Sequence, residues 1–295
     1  MDQEFYPYSP IVERPPVEWP GGAGVAFYLA LNVEHFHLDR PALSINAATS
    51  SLVPDPLNYG WRDYGARVGI WRMIDALDQL PITPSVAVNS EVCGHYPQII
   101  KAGTERDWCW VAHAQTNSLL HSAIEVDEER KRLDEMITDL KAAGLRPRGW
   151  LGSALSETFQ TARLLSELGF QYVLDWCNDD QPYPLAVEGM ISVPYSIELN
   201  DLTAFVEHRV SGADFVQMVR DQLEQLLHDS RSSGRVMALA VHPFILGQPF
   251  RHRYLVEALE YICRRDGVWL TTSDAIADHY MQARLGGDPR FDPWP

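Results

Sequence analysis

The stretch WVAHAQTN, residues 110–117, ends a short apolar run in a histidine and an amide four residues apart. Three other stretches show the same change from apolar to polar residues: NVEH at 32–35, GWLGS at 149–153 and VHP at 241–243. In a parallel α/β barrel, functional side chains lie at the carboxyl ends of the strands. We therefore predict a barrel whose strand ends converge on one pocket.

The composition is that of a soluble globular protein. With 295 residues, 46% of them hydrophobic, the chain can bury the core of one large domain or two ordinary ones. A formal net charge of -16 disfavours nucleic acid or an anionic membrane as a partner. We see no secretory signal, no apolar run long enough to span a bilayer and no CxxC pair, so we expect a cytoplasmic protein.

Strand and helix patterns alternate along most of the chain. Residues 1–23 are rich in proline and predict an extended arm, whereas residues 23–33 are apolar without alternation, as in a strand buried on both faces. The alternation continues through residues 24–283, which we take as one catalytic domain followed by a tail at 284–295. It favours a closed parallel barrel, with an open doubly wound sheet as the alternative.

A long polar connection covers residues 34–62, and loops of this length in compact domains are commonly functional. We expect it to cover the pocket. Helical spacing of apolar residues begins at residue 64 and continues to residue 80.

The strand-end rule selects polar residues after six of the predicted strands. One carboxylate and two histidines among them are the candidates for chemistry: Glu34, His113 and His242. A carboxylate directly after an apolar strand is costly to bury unless it has a partner or a role. Such a trio is typical of a metal site or an acid/base cluster. We expect substrate contacts from four further residues: His35, Trp150, Trp176 and Asp180.

The order of these segments, including His113-x-x-x-Asn117, resembles the polysaccharide deacetylase (NodB-homology) superfamily, and most of all its branch with the cofactor-free allantoinases. The resemblance covers residues 23–280. It implies a distorted (β/α)7–8 barrel in a single domain and hydrolysis of a carbon-nitrogen bond in an amide.

The chain departs from the metal-dependent members of that superfamily at two positions. The separate aspartate base is missing, and the second histidine of HxxxH is Asn117, whose neutral amide is a poor zinc ligand. If a divalent metal binds, with zinc as the first choice, its ligands are Glu34, His113 and His242. Without a metal, the same trio must do acid/base work.

We predict an amidohydrolase that opens a small cyclic amide, ureide or imide by attack of water on the carbonyl. Glu34 activates the water, His113 and His242 polarise the carbonyl and return the proton, and Asn117 donates a hydrogen bond to the oxyanion. Trp150 would form a wall of the pocket, and Asp180 would accept a hydrogen bond from a substrate N–H.

Two alternatives remain: a metal-dependent N-deacetylase of a sugar or other acetamide, and a non-catalytic binding protein on the same fold. Aromatic residues near both ends of the chain also suggest a homo-oligomer.

Overall fold

The strands form one curled, mainly parallel sheet. The structure is a computed structural model that describes residues 3–40, 45, 47–49 and 51–284. Over this part of the chain the strands are β1 (Val25–Val33), β2 (Ser85–Val88), β3 (Cys109–Ala112), β4 (Gly149–Trp150), β5 (Tyr172–Val173), β6 (Tyr183–Pro184), β7 (Ile191–Ser192), β8 (Arg235–Val241) and β9 (Val268–Leu270). Their order is β6-β7-β5-β4-β3-β2-β1-β8, and β9 pairs with the first residues of β1.

Hydrogen bonds from β8 link the two sides of the curled sheet. The backbone N–H of Ala240 donates to the carbonyl of Leu199 at 2.9 Å, and that of Val236 donates to the carbonyl of Asp180 at 2.8 Å. Both acceptors belong to segments that flank β6 and β7, at the far edge of the sheet. The predicted distorted α/β barrel is therefore confirmed.

Most helices cover the outside of the sheet, whereas the last one contributes Ile276 and Ala277 to the interior. They are α1 (Pro56–Tyr64), α2 (Ile70–Leu77), α3 (Glu91–His95), α4 (Pro97–Thr104), α5 (Val126–Ala142), α6 (Thr161–Glu167), α7 (Gly212–Asp229), α8 (Pro249–Cys263) and α9 (Ser273–Arg284).

The helix predicted from residue 64 begins earlier, at Pro56, and a π-helical turn, Gly65–Gly69, joins α1 to α2. Asp55 caps α1 by accepting the backbone N–H of Asn58 at 3.2 Å. The predicted 34–62 loop therefore ends at Asp55, because proline is favoured in the first helical turn and aspartate at the cap before it.

Successive residues of β1 point alternately to the two layers of the core. Val25, Phe27 and Leu29 pack in the layer that includes the buried faces of α2, α7 and α8, whereas Ala26 and Tyr28 belong to the interior of the curled sheet. This two-residue period explains why the strand is buried along its whole length and shows no polar alternation.

Two glycines let the first helical run pack directly on the turn that follows β8. A Cβ on Gly69 would lie 2.0 Å from the carbonyl oxygen of Pro243, and a Cβ on Gly65 would lie 2.8 Å from the backbone nitrogen of Phe244. Only glycine permits this approach, which holds the turn carrying His242 against the helix.

The described part of the N-terminal arm packs on its own chain. Trp19 is buried and donates through Nε1 to the carbonyl of Arg235 at 2.8 Å, and Arg14 forms a 2.5 Å ion pair with Asp179. The tail beyond Arg284 lies outside the described residues. Within the part of the chain that the structure describes, no helix is long and apolar enough to cross a membrane.

Candidate active site

The four residues predicted as catalytic meet at the carboxyl ends of β1, β3 and β8. Glu34, His113, Asn117 and His242 all line a cavity of about 480 Å³. Side chains alternate along each strand, and Tyr28, Val111 and Ala240 face the interior. The three ionisable residues follow these at an even spacing along the same strands, so their side chains face the interior as well.

One carboxylate oxygen is the centre of the site. Glu34 Oε1 lies 3.4 Å from His113 Nε2, 3.6 Å from His242 Nε2 and 2.6 Å from Asn117 Nδ2. Burial alone would raise the pKa of Glu34, but the positive charge of the His242 ring beside it holds this pKa well below its usual value. Glu34 is therefore an ionised carboxylate in the resting protein.

A chain of hydrogen bonds fixes which way the amide of Asn117 points. The backbone N–H of His35 donates to Asn89 Oδ1 at 2.8 Å, so Asn89 Nδ2 is the donor to Asn117 Oδ1 at 2.9 Å. Ser153 Oγ donates to the same oxygen at 2.9 Å. The NH2 group of Asn117 must then face Glu34, as a hydrogen-bond donor.

His242 is held between two carboxylates. Its Nδ1 lies 2.6 Å from Asp201 Oδ1, and its backbone N–H donates to Asp201 Oδ2 at 2.8 Å, while its Nε2 faces Glu34. Burial opposes charging of the ring, but Asp201 and Glu34 outweigh it and raise the pKa of His242 to about 10. The ring is therefore an imidazolium at neutral pH.

His113 is oriented by a backbone carbonyl. Its Nδ1 lies 2.6 Å from the oxygen of Leu151, so the ring carries its proton on Nδ1 when neutral and turns Nε2 to the cavity. Nε2 is buried and makes no hydrogen bond within the described structure. It is available to a substrate N–H or, once protonated, to a developing oxyanion.

The protonation states of Glu34 and His242 depend on each other. When Glu34 takes a proton from water, the negative charge that helps to hold the proton on His242 disappears, and His242 becomes a stronger acid. Proton uptake by Glu34 thus promotes proton release from His242, as the hydrolysis of an amide requires.

The residues of this site do not fit the metal site expected from the HxxxH pattern of the metal-dependent deacetylases. The oxygen of Asn117 is occupied by two donors, and its NH2 group, which cannot bind a cation, points at the proposed ligand Glu34. Glu34, His113 and His242 stay a conditional prediction as ligands. Among the described residues, the set of three ligand atoms within 4.8 Å of one another belongs to His35, Glu91 and His95.

Two residues predicted to contact the substrate, His35 and Trp150, point away from the cavity because side chains alternate along their strands. His35 follows Glu34 and so faces outward, where burial and the neighbouring His95 and His37 lower its pKa to about 4. Trp150 is fully buried in the outer layer, with its ring centroid 5.3 Å from that of His121. Neither side chain lines the cavity, which corrects their predicted placement.

The other two residues predicted to contact the substrate, Trp176 and Asp180, lie outside the cavity because of the path that the chain takes after β5. The chain leaves the sheet and turns back, so the carbonyl of Asp180 binds Val236 near the beginning of β8, at the opposite end of the barrel. Trp176 lines a separate cavity, about 590 Å³, together with Phe5 and Phe159. After this turn β6 and β7 pair in antiparallel fashion.

Sequence reasoning missed three residues of the site. Asp201 orients His242, Arg62 lines the cavity with its guanidinium 4.2 Å from the ring centroid of Phe36, and the Tyr195 hydroxyl accepts from Asn32 Nδ2 at 3.3 Å. Arg62 stands at the end of the loop predicted to cover the pocket. Asp201 follows no strand, so the strand-end rule could not select it.

Comparison with known proteins supports the resemblance seen in the sequence. A Schizosaccharomyces pombe protein named "Putative polysaccharide deacetylase" is 24% identical over 235 residues, which are 73% of this chain and 73% of that protein. No family model matches the chain.

Solved structures share the fold over nearly the whole chain. PuuE allantoinase has a TM-score of 0.84 at 23% identity, covering 92% of this chain and 95% of its own. A "probable Polysaccharide deacetylase" of Pseudomonas aeruginosa PAO1 has a TM-score of 0.82 at 22% identity, covering 96% of both chains. A "putative polysaccharide deacetylase" of Mycobacterium smegmatis has a TM-score of 0.77 at 25% identity, covering 96% of this chain and 98% of its own. The predicted resemblance to polysaccharide deacetylases and an allantoinase is confirmed.

Proposed function

We propose that this chain, which has the fold of the polysaccharide deacetylases, is an amidohydrolase that opens a small cyclic amide, ureide or imide. The observation that carries the proposal is the shared oxygen of Glu34, which faces Asn117, His113 and His242 at the floor of one cavity. The names of the relatives support hydrolysis of a carbon-nitrogen bond.

The reaction begins with a water molecule held by Glu34 in front of the substrate carbonyl. Glu34 takes a proton as the water attacks, and the carbonyl oxygen becomes an oxyanion. The imidazolium of His242 stabilises that charge and then donates its proton to the leaving nitrogen, which Asp201 assists by holding the ring in place. A ring nitrogen that leaves remains attached to the product, so one water is consumed and no fragment is released.

His113 and Asn117 orient the reacting groups. The free Nε2 of His113 can accept an N–H of the ring, a group that ureides and imides carry next to the carbonyl. Asn117 donates to Glu34 in the resting state and restricts the carboxylate to one position. The protonation of Glu34 weakens this hydrogen bond and frees the amide to donate to the oxyanion.

The size and walls of the cavity favour a small substrate over a polymer. Its volume of about 480 Å³ is within the range of small-molecule sites, and Phe36, Arg62 and Phe244 form part of its walls. The cationic side chain of Arg62 supplies a partner for a carbonyl-rich or anionic ring.

A second candidate is N-deacetylation of a sugar or other acetamide, which the names of the similar proteins favour. A panel of hydantoins, cyclic imides, ureides and N-acetyl sugars, assayed by consumption of base with and without added zinc, separates the two. Turnover of a ring substrate without added zinc supports our proposal. Turnover restricted to acetamides and dependent on zinc supports the second candidate, and no turnover with any substrate supports a binding protein.

A further inference from the structure

Three histidines and a glutamate gather beside the active site, outside its cavity, where His35 is buried and His95 is exposed. His35 and His37 lie in the segment after β1, while Glu91 and His95 lie on α3. We propose that this cluster binds a zinc ion that fastens the segment after β1 to α3. The proposal does not depend on the reaction at Glu34.

The possible ligand atoms lie close to one another. Glu91 Oε2 lies 2.7 Å from His37 Nε2 and 3.7 Å from His35 Nε2. The rings of His35 and His95 are stacked, with centroids 4.1 Å apart and 11° between their planes. One ligand atom from each of His35, Glu91 and His95 lies within 4.8 Å of the other two.

Local structure accounts for the convergence. Glu91 and His95 are four residues apart on a helix and therefore share one face. His35 and His37 are two residues apart in the irregular segment after β1, and their ring centroids lie 5.7 Å apart.

The hydrogen bonds around His35 match those of a metal-binding histidine. Its Nδ1 lies 3.2 Å from the hydroxyl of Tyr96, which leaves Nε2 as the atom facing Glu91. Histidine ligands usually fix their second ring nitrogen with such a partner. Imidazoles with one carboxylate are ligands that suit zinc, and the exposure of His95 gives an ion access from solvent.

A bound ion would also brace the catalytic residues. The backbone N–H of His35 donates to Asn89, the carbonyl of His35 accepts the backbone N–H of Asn117, and Asn89 in turn donates to the side chain of Asn117. Zinc would thus hold the backbone on which the position of Glu34 depends.

Zinc titration of the chelator-treated full chain by calorimetry tests the site. We expect one equivalent to bind the wild type and to raise its Tm. His95→Ala and Glu91→Gln should each weaken zinc binding by at least about tenfold and abolish the Tm rise. His95 is exposed and Glu91 is partly exposed, so these variants should fold.

Two control variants locate the ion. His228→Ala removes another exposed histidine with a neighbouring carboxylate, 3.2 Å away, and should bind zinc like the wild type. Glu34→Gln should also bind normally, because Glu34 lies in the cavity. Absence of zinc binding, binding unchanged in His95→Ala and Glu91→Gln, or binding lost only in Glu34→Gln would overturn the proposal.

Discussion

Replacement of Asp201 by asparagine should change how the stability of the protein depends on pH. Asp201 and Glu34 together raise the pKa of the buried His242 ring from 6.5 to about 10. Because the folded-state pKa is the higher one, the stabilisation is complete below pH 6.5 and is lost as the pH rises through about 10. At about 1.4 kcal/mol for each tenfold change, the net effect of burial and the two carboxylates on stability is at most about 5 kcal/mol.

Asp201→Asn removes one of the two charges and keeps the shape of the side chain. It should reduce the loss of unfolding free energy between about pH 6 and about pH 9.5 by about 2 kcal/mol relative to the wild type. Urea unfolding at the two pH values measures this difference, and groups that titrate in both proteins cancel from the comparison.

Asp278→Asn is the matched control. Asp278 forms a 2.7 Å ion pair with Arg148 but is 54% exposed, so its removal should cost no more than about 1 kcal/mol and leave the pH dependence unchanged. If Asp201→Asn lowered stability equally at both pH values, the imidazolium at His242 would be refuted.

Three other substitutions test separate parts of the structure. Asn117→Asp places a carboxylate 2.6 Å from Glu34, so the pKa of Glu34 should rise. The acid limb of the pH–rate profile should then move to higher pH, and kcat/KM should fall by about 100-fold. An acid limb that does not move would contradict the assignment of Glu34 as the base. Arg62→Met should raise KM for an anionic substrate by about tenfold with little change in kcat, and an equal effect on a neutral imide would argue against a charge contact. Gly69→Ala should lower the unfolding free energy by about 2 kcal/mol because of its clash with the following turn, whereas Gly60→Ala, where a Cβ meets nothing within 4 Å, should be neutral or stabilising in the same thermal unfolding assay.

The strand-end rule selected Glu34, His113 and His242 from sequence alone because these residues follow their strands directly. Each of the three is the first residue after the end of its strand, namely β1, β3 and β8. Adding the two-residue period of the strands would have improved the prediction. It turns Glu34 inward and His35 outward, and it turns Trp150 away from the interior.

Other features depended on contacts between distant parts of the chain. Asp201 reaches His242 across 41 positions, from a segment with no strand of its own. The reversal of the chain after β5, which carries Asp180 to the opposite end of the barrel, results from pairing with β8 that no local pattern reveals. The close packing at Gly65 and Gly69 likewise becomes visible only when the turn after β8 is in place.

The hydrogen bond between Asn117 and Glu34 could not be predicted from the sequence either. The motif showed that an amide replaces a histidine, but the direction of that amide depends on Asn89 and Ser153, which come from two other loops. Oligomeric state remains a prediction, since the aromatic tail lies outside the described residues.

The turnover number of Glu34→Gln on a ring substrate of the wild type tests the central claim most directly. Glutamine keeps the size of the side chain but cannot accept a proton from water, so kcat should fall by roughly 1,000-fold or more while the protein remains folded by circular dichroism. Turnover close to that of the wild type in the folded variant would show that Glu34 is not the base and that the chemistry occurs in another way.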